Sequence, residues 1–327
     1  MKLSPWMKIL TISCLFLLLL TMPLLSACGG GTTTEVEEEE VITEEKVDEF
    51  EVVKDAVAAY IPNKAGNIKA PDLNMAIAEG NAPYIVSLRS AEDYAKGHVP
   101  GAVNMKFSEL ISIPKDEEVV VYCYTGQSGS FAAAVLGMLG YDVQNLRHGM
   151  SDWTTDPDVY VSRFDAATAQ GDYDTETTAN SGGSYSYPKL DNTTSNDEDD
   201  IIAAAAATVS PKYITAADLN MKIAEDADMT IVSVRSAEQY AKGHVPGAIN
   251  IEMGSLTDNL KRIDPDEPVY VYCYTGHNAG QATALLQMLG YDAYSLKFGM
   301  CSWSSDPEIN AGSCFDPAKA NDFDTEK

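Results

Sequence analysis

Positive charge is scarce in this sequence. Its 327 residues include 22 lysines and arginines against 49 aspartates and glutamates, which gives a formal net charge of −27 at pH 7. So acidic a chain repels a phosphate backbone, and we therefore predict no nucleic-acid partner. Histidine is also scarce, with four residues, and no His or Cys spacing resembles a metal site. Because a Gly-rich nucleotide motif is missing too, we predict no metal and no cofactor.

The longest hydrophobic run, ILTISCLFLLLLTMPLL, follows two lysines near the N-terminus and ends in LSAC, with Cys28 last. This pattern predicts an export signal over residues 1–27. The ending resembles the lipobox of bacterial lipoproteins, which implies lipidation of Cys28 and an extracytoplasmic, membrane-anchored protein of a bacterial cell envelope. An ordinary signal peptide or a membrane helix is the alternative. The acidic stretch 28–45 is predicted to be a solvated tether, so contact with the membrane would come from the lipid alone.

An internal repeat dominates the rest of the chain. The segment SLRSAEDYAKGHVPGAVN (87–104) returns as SVRSAEQYAKGHVPGAIN (233–250), and VVVYCYTG (119–126) returns as VYVYCYTG (269–276). The unit is far too long for a solenoid repeat, so it is a duplicated domain.

The repeat sets the domain boundaries. We predict one domain over residues 46–163 and a second over 201–327, joined by a polar linker over 164–200. Each copy shows strands alternating with helices, and its brief apolar runs suit buried strands. This order predicts an α/β fold with a mainly parallel sheet flanked by helices in each domain. In the first copy the elements nearest the cysteine are predicted as strand 84–88, helix 129–139 and strand 142–146.

Cys123 and Cys273 each follow an apolar strand and precede a short loop and a helix. Ligands of such sheets bind outside the carboxyl ends of the strands. Backbone N–H groups of the loop and the helix N-terminus favour an anion there. Because the thiolate is the reactive form of cysteine, this setting predicts two nucleophiles. The alternative is a buried, inert cysteine that closes each strand.

The ordered motifs resemble a known family. Arg89, GHVPGA (97–102), VVVYCYTG (119–126) and LGY…L…GM..W (139–153), all repeated in the second half, are similar to a tandem protein of rhodanese-like (sulfurtransferase) domains. The resemblance implies that each loop cysteine takes sulfane sulfur from a donor such as polysulfide or thiosulfate. It then holds the sulfur as a persulfide and passes it to a thiol acceptor.

The site residues follow from the same resemblance. It implies that Cys123 and Cys273 are catalytic. The implied substrate-binding residues are Tyr124, Thr125, Gly126, Gln127, Ser128 and Gly129 in the first loop, Tyr274, Thr275, Gly276, His277, Asn278 and Ala279 in the second, and Arg89 and Arg235 after the preceding strands.

Both loops depart from the family pattern at the fifth residue after the cysteine. This residue is usually arginine, but here it is Ser128 or Asn278. A charge-assisted hydrogen bond contributes roughly 1.5–3 kcal/mol, so its loss should weaken binding of a dianionic donor about 10- to 150-fold. A protonated His277 would partly replace the lost charge.

These departures favour sulfur binding and relay over fast turnover of thiosulfate. Two alternatives stay open: a non-catalytic module that binds a partner protein or a small anion, and a thiol redox protein. Cys301 and Cys314 have no counterpart in the first copy, so they form a disulfide, or Cys301 acts as a resolving thiol for Cys273.

The other motif residues are predicted to be structural. We expect His98 and His244 to support the GHVPGA turn, and the repeated tryptophans to cap the core. Arg89 and Arg235 are expected to pair with an acidic residue, and substrate contact is the alternative.

Overall fold

The computed structural model of the protein describes residues 46–327. The predicted signal (1–27), the lipidation site Cys28 and the predicted tether (28–45) lie outside the described residues. Within 46–327, no helix has both the length and the apolar character needed to cross a bilayer.

The first copy of the repeat alternates strands with helices. Its strands are β1 Gly66–Ile68, β2 Tyr84–Ser87, β3 Val103–Asn104, β4 Val119–Tyr122 and β5 Val143–Leu146. Its helices are α1 Glu49–Tyr60, α2 Ala70–Ala78, α3 Ala91–Lys96, α4 Gln127–Met138, α5 Met150–Trp153 and α6 Pro157–Tyr160. A further helix, α7 Ala166–Ala169, lies in the connecting segment. Two short 3-10 helices cover Ile61–Asn63 and Phe107–Ser112.

The second copy repeats this order. Its strands are β6 Tyr213–Ile214, β7 Thr230–Ser233, β8 Ile249–Asn250, β9 Val269–Tyr272 and β10 Ala293–Leu296. Its helices are α8 Glu198–Ala207, α9 Ala216–Ala224, α10 Ala237–Lys242, α11 His277–Met288 and α12 Met300–Trp303. The 3-10 helices are Met253–Ser255, Thr257–Arg262 and Pro317–Lys319.

Each copy forms one five-stranded parallel sheet, in the orders β1-β5-β4-β2-β3 and β6-β10-β9-β7-β8. The predicted α/β class is therefore confirmed. The strands that end at the cysteines, β4 and β9, lie in the centre of their sheets, and all their residues are buried. Several boundaries differ from the sequence prediction by one residue: β2 ends at Ser87, β5 begins at Val143 and α4 ends at Met138, each one residue inside the predicted range. The largest difference is two residues. Helix α4 begins at Gln127, two residues earlier than expected, because Gly126 takes the left-handed conformation and turns the chain directly into the helix.

The two copies share a hydrophobic core. Helices α1 and α4 of the first copy contribute Val53, Val57 and Phe131, and helices α8 and α11 of the second contribute Ile201 and Leu285 to the same buried cluster. Since α4 and α11 are buried on almost every face, small residues such as alanine let them approach closely. The carboxyl ends of the two central strands are thereby brought towards each other.

A short segment after each copy packs on the other copy. The sequence DYDTE (172–176) follows the first copy but lies against the second, where the Asp174 carbonyl accepts a hydrogen bond from Trp303 Nε1 at 2.8 Å. The sequence DFDTE (322–326) follows the second copy but lies against the first, where the Asp324 carbonyl accepts from Trp153 Nε1 at 2.9 Å. We call these two segments the exchanged straps. Each strap fastens one domain to the segment that follows the other domain.

Outside its exchanged strap, the connecting segment 164–200 also contacts both domains. The Tyr185 N–H donates to the Lys261 carbonyl at 2.8 Å, and the Tyr187 ring stacks on Phe50 with centroids 4.5 Å apart. Asn192 N–H donates to Glu49 at 2.7 Å. The polar composition of this segment is thus satisfied by both domains.

Candidate functional site

The two cysteines stand where the sheets predict a ligand site. Cys123 and Cys273 come immediately after β4 and β9, both are free thiols, and both are 3% exposed. The carbonyl of each is fixed by an N–H from the turn after the last strand: Met150 N donates to Cys123 O at 3.0 Å and Met300 N donates to Cys273 O at 2.9 Å. The backbone of each cysteine is therefore fixed by its own strand and by the turn that follows the neighbouring strand.

The two loops share a glycine turn, and in the second loop a backbone N–H contacts the sulfur. In the second loop Gly276 N–H donates to Cys273 Sγ at 3.2 Å. Gly126 and Gly276 have φ of 78° and 90°, which a glycine adopts without strain. Helices α4 and α11 start at the next residue, so their N-termini add positive potential beside the sulfur.

The loops contact each other across the domain boundary. Gln127 Oε1 accepts a hydrogen bond from Phe298 N at 2.8 Å. At the equivalent place His277 Nε2 lies 3.4 Å from His148 N and 3.2 Å from the Thr125 carbonyl. His148 and Phe298 both have positive φ, near 61° and 64°. This conformation is unusual for residues other than glycine, and here it directs the backbone N–H of each residue at the opposite loop.

His277 does not supply the missing positive charge, contrary to the sequence prediction. Its side chain is buried against the first domain, and burial lowers the pKa of His277 to about 4. Burial and the nearby His277 likewise lower the pKa of His148 to about 3. Both imidazoles are neutral at pH 7, because the low-polarity interface disfavours a charged ring.

The arginine position of the family pattern is occupied differently in the two loops. Ser128 Oγ is 2.9 Å from the hydroxyl of Tyr213, a residue of the second domain. Asn278 is half-buried. The following residues, Gly129 and Ala279, are buried in their helices and pack in the core.

Tyr124 is tied to the domain that carries it. Its hydroxyl donates to Asp93 Oδ2 at 2.6 Å and accepts from Ser90 N at 3.1 Å. Thr125 and Thr275 instead line a narrow apolar crevice between the domains. The other residues lining it are His148, Ser151, Phe164, Phe298, Cys301 and Phe315.

Arg89 and Arg235 are buried and bonded to backbone carbonyls. Arg89 donates to the carbonyls of Gly97, at 2.9 Å, and Asp93. Arg235 donates to those of Gly243 and Ile309 at 2.7 and 2.9 Å. Neither guanidinium forms an ion pair within residues 46–327, so the expected acidic partner is wrong. Their structural role rests on carbonyl groups instead.

The remaining candidates have structural contacts. His98 and His244 stack on Tyr94 and Tyr240, with centroids 3.8 and 3.6 Å apart. Each forms an antiparallel bridge to the glutamate of an exchanged strap. Trp153 and Trp303 are fully buried. These contacts confirm that the GHVPGA histidines and the tryptophans support the fold.

Cys301 and Cys314 are joined by a disulfide, with Cα atoms 5.4 Å apart. Cys301 is therefore engaged and does not face Cys273 as a thiol. The bond ties the segment that leads to the second exchanged strap to helix α12. No group of three or more metal-ligating side chains occurs within the described part of the chain.

Sequence reasoning missed the residues that one domain contributes to the other. The exchanged straps had a visible signal, since DYDTE and DFDTE are a further repeat. Lys64 and Tyr213 had none, because each occurs in only one copy. Lys64 is half-buried and close enough to Cys273 for their charges to interact.

Comparison with known proteins agrees with the geometry. The model of the family "Rhodanese-like domain" matches residues 69–156 and 215–306. The thiosulfate sulfurtransferase GlpE of Pseudomonas fluorescens is 35% identical over 85 residues, which cover 25% of this chain and 78% of the relative. An HTH-type transcriptional regulator of Mycobacterium tuberculosis is 35% identical over 92 residues, covering 28% of this chain and 40% of the regulator.

A solved structure, the rhodanese-like domain protein from Staphylococcus aureus, is 34% identical, covers 28% of this chain and 90% of its own, and has a TM-score of 0.27. Each of these matches spans about one domain of the present chain. The two family matches together take in more than half of its length. We conclude that the chain belongs to the rhodanese-like family, carries its domain in two tandem copies, and has a function that at the family level is of the sulfurtransferase type.

Proposed function

We propose that the protein binds and relays sulfane sulfur as cysteine persulfides at Cys123 and Cys273. The observation that carries the proposal is the second loop, where Gly276 N–H points at a free Cys273 Sγ at 3.2 Å. Main-chain donors of this kind stabilise a sulfur anion without a guanidinium, because they are fixed before the charge develops. The first loop has the same frame, since Gly126 has the same left-handed turn.

The proposed step balances without an added oxidant. The cysteine thiolate attacks a sulfane sulfur of polysulfide, a Cys–S–S bond forms, and the donor's S–S bond breaks. The electron pair of that bond leaves with the shortened polysulfide anion. An acceptor thiolate then attacks the outer sulfur of the persulfide, takes it, and restores the cysteine thiolate. Since both loops lack the family arginine that would hold a sulfonate oxyanion, we propose polysulfide, which has no such group, as a better donor than thiosulfate.

Mass spectrometry tests this function. After incubation with polysulfide we expect an added mass of about 32 Da, one sulfur atom, on each loop cysteine. The variants Cys123→Ser and Cys273→Ser should each lose one adduct and keep the other. A wild-type protein that gains no adduct at either cysteine would refute the proposal.

A second candidate function is a non-catalytic module that binds a partner protein or small anion. It is favoured by the mutual cover of the loops, which leaves each thiol 3% exposed. In that case polysulfide leaves both cysteines unmodified. The thiol redox alternative predicts a Cys273–Cys301 bond, and the Cys301–Cys314 disulfide argues against it.

We further propose that the protein is a lipid-anchored, extracytoplasmic lipoprotein of a bacterial cell envelope. The LSAC sequence ending at Cys28 supports this. The disulfide adds support, because such bonds persist in oxidising compartments. Replacing Cys28 with Ala should move the protein from the detergent phase to the aqueous phase in a detergent partition. Equal partition of the variant and the wild type would contradict the anchor.

A further inference from the structure

Each thiol loop, or the helix that follows it, is contacted by the opposite domain at or just before that domain's first strand. At the first loop this residue is Tyr213, which begins β6. Its hydroxyl lies 2.9 Å from Ser128 Oγ, at the position where the family carries arginine. Its ring packs edge-on against Phe131 of α4, with centroids 5.7 Å apart. Burial raises the pKa of Tyr213, so its hydroxyl stays protonated and uncharged.

At the second loop the chain of the first domain is fastened to helix α11. Gln281 Nε2 donates to the Ala65 carbonyl at 2.9 Å. The Tyr60 hydroxyl accepts from Ala65 N at 2.9 Å and lies 3.3 Å from Gln281 Oε1. These bonds fasten the residue after Lys64 to helix α11. The 3-10 helix just before Lys64, Ile61–Asn63, contacts the 3-10 helix Met253–Ser255, which follows β8 at the carboxyl edge of the second sheet. Lys64 therefore lies near the sheet edge that carries Cys273.

Lys64 is a half-buried cation that has no counter-ion among residues 46–327. Burial lowers the pKa of Lys64, and attraction to a negative Cys273 opposes that effect. Taking an ammonium group out of water is unfavourable unless an anion compensates for it. The group best placed to compensate is the thiolate of Cys273, or an anion bound to it.

We propose that each thiol pocket is completed by a side chain from the other domain, Tyr213 for Cys123 and Lys64 for Cys273. We assign to Lys64 a specificity-determining role: it directs anionic sulfane-sulfur donors to Cys273. The residue equivalent to Lys64 in the second copy is Ser210, so Cys123 gains no such cation. The two pockets thus differ in charge although both loops begin with the same Cys-Tyr-Thr-Gly sequence.

The motif arginines do not remove this difference. They occur in both copies and donate to backbone carbonyls in both. Lys64 occurs once. A donor with two negative charges therefore gains from Lys64 at Cys273, whereas a neutral reagent gains little. This inference rests on the proposed persulfide function for its substrate, but its charge difference is measurable without sulfur transfer.

The test compares an anionic with a neutral reagent of the same chemistry. The rates of alkylation by iodoacetate and by iodoacetamide are measured at one cysteine at a time. Full-length Cys123→Ser protein reports on Cys273, and full-length Cys273→Ser protein reports on Cys123. We expect Lys64→Met to lower the iodoacetate-to-iodoacetamide rate ratio at Cys273 by roughly tenfold, the effect of one nearby charge in a partly screened site. The ratio at Cys123 should not change. Lys69→Met, at an exposed lysine of the same domain, is the matched control and should leave both ratios unchanged.

Tyr213→Phe is the reciprocal variant. It should lower the iodoacetamide rate of Cys123 by about threefold or more, because it removes the hydrogen bond between the Tyr213 and Ser128 hydroxyls that holds the first loop, and it should leave Cys273 unaffected. Equal rates at Cys123 in the variant and the wild type would overturn this half of the proposal.

The Lys64 assignment has its own refutation. An unchanged ratio at Cys273 in Lys64→Met, or failure of both reagents to reach Cys273, would overturn it. Persulfide formation is measured separately by mass, so its absence alongside a lowered ratio would refute the proposed function and leave the role of Lys64 intact.

Discussion

Replacing His277 with Gln should make the folded protein less sensitive to acid. Gln127 holds the equivalent position in the first loop, and its Oε1 bonds the N–H across the boundary, so the chain itself shows that glutamine fits there. The substitution removes one titrating group and keeps a side chain that can bond to the opposite domain.

The magnitude follows from the burial of the imidazole. An ordinary histidine has a pKa of about 6.5, and the folded environment lowers the pKa of His277 to about 4. Between these values the unfolded chain binds the proton more readily than the folded one. The stability is therefore complete above about pH 6.5 and is lost as the pH falls towards 4. Between pH 7 and pH 5, His277 accounts for about 2 kcal/mol of lost stability.

The assay is urea unfolding of the wild type and His277→Gln at pH 7 and pH 5. Carboxylates and the other histidines are common to both proteins. His148, which lies against His277, stays neutral in the folded protein over this interval because of its own burial, so these contributions nearly cancel in the difference. We expect the variant to lose about 2 kcal/mol less than the wild type over this interval. Equal losses in the two proteins would refute the burial of a neutral imidazole between the loops.

Three further outcomes follow from the structure. In urea unfolding, Gly149→Ala should lower the free energy of unfolding by at least about 2 kcal/mol more than Gly140→Ala. Both glycines have positive φ. The new Cβ at 149 would lie 2.3 Å from the Cys123 carbonyl oxygen, whereas the Cβ at 140 would have open space. Cys314→Ser should cost about 3 kcal/mol in urea unfolding, the chain-entropy value for a short loop, and Cys301→Ser should cost as much; a smaller loss for both would argue against the bond. Deleting residues 321–327 should expose Trp153 and shift its fluorescence to longer wavelength, while an unchanged spectrum would contradict the strap on the first domain.

The sequence alone determined the duplication, the α/β class and the two cysteines at the ends of central strands. These features are local: strand VVVY, the glycine turn and the following helix are encoded by neighbouring residues, and parallel packing brings the strand ends to one edge. The predicted start of helix α4 missed by two residues because Gly126 allows a sharper turn than the pattern implied.

Only the tertiary structure decided what surrounds the thiols. His277 was expected to carry charge from its position in the loop, but docking of the first domain buries it and keeps it neutral. Likewise Tyr213 reaches the first loop, and the chain beside Lys64 packs on helix α11, through contacts between residues far apart in the sequence. The spacing of hydrophobic residues in the sequence does not predict such contacts, because burial and charge at an interface depend on how two folded domains pack together.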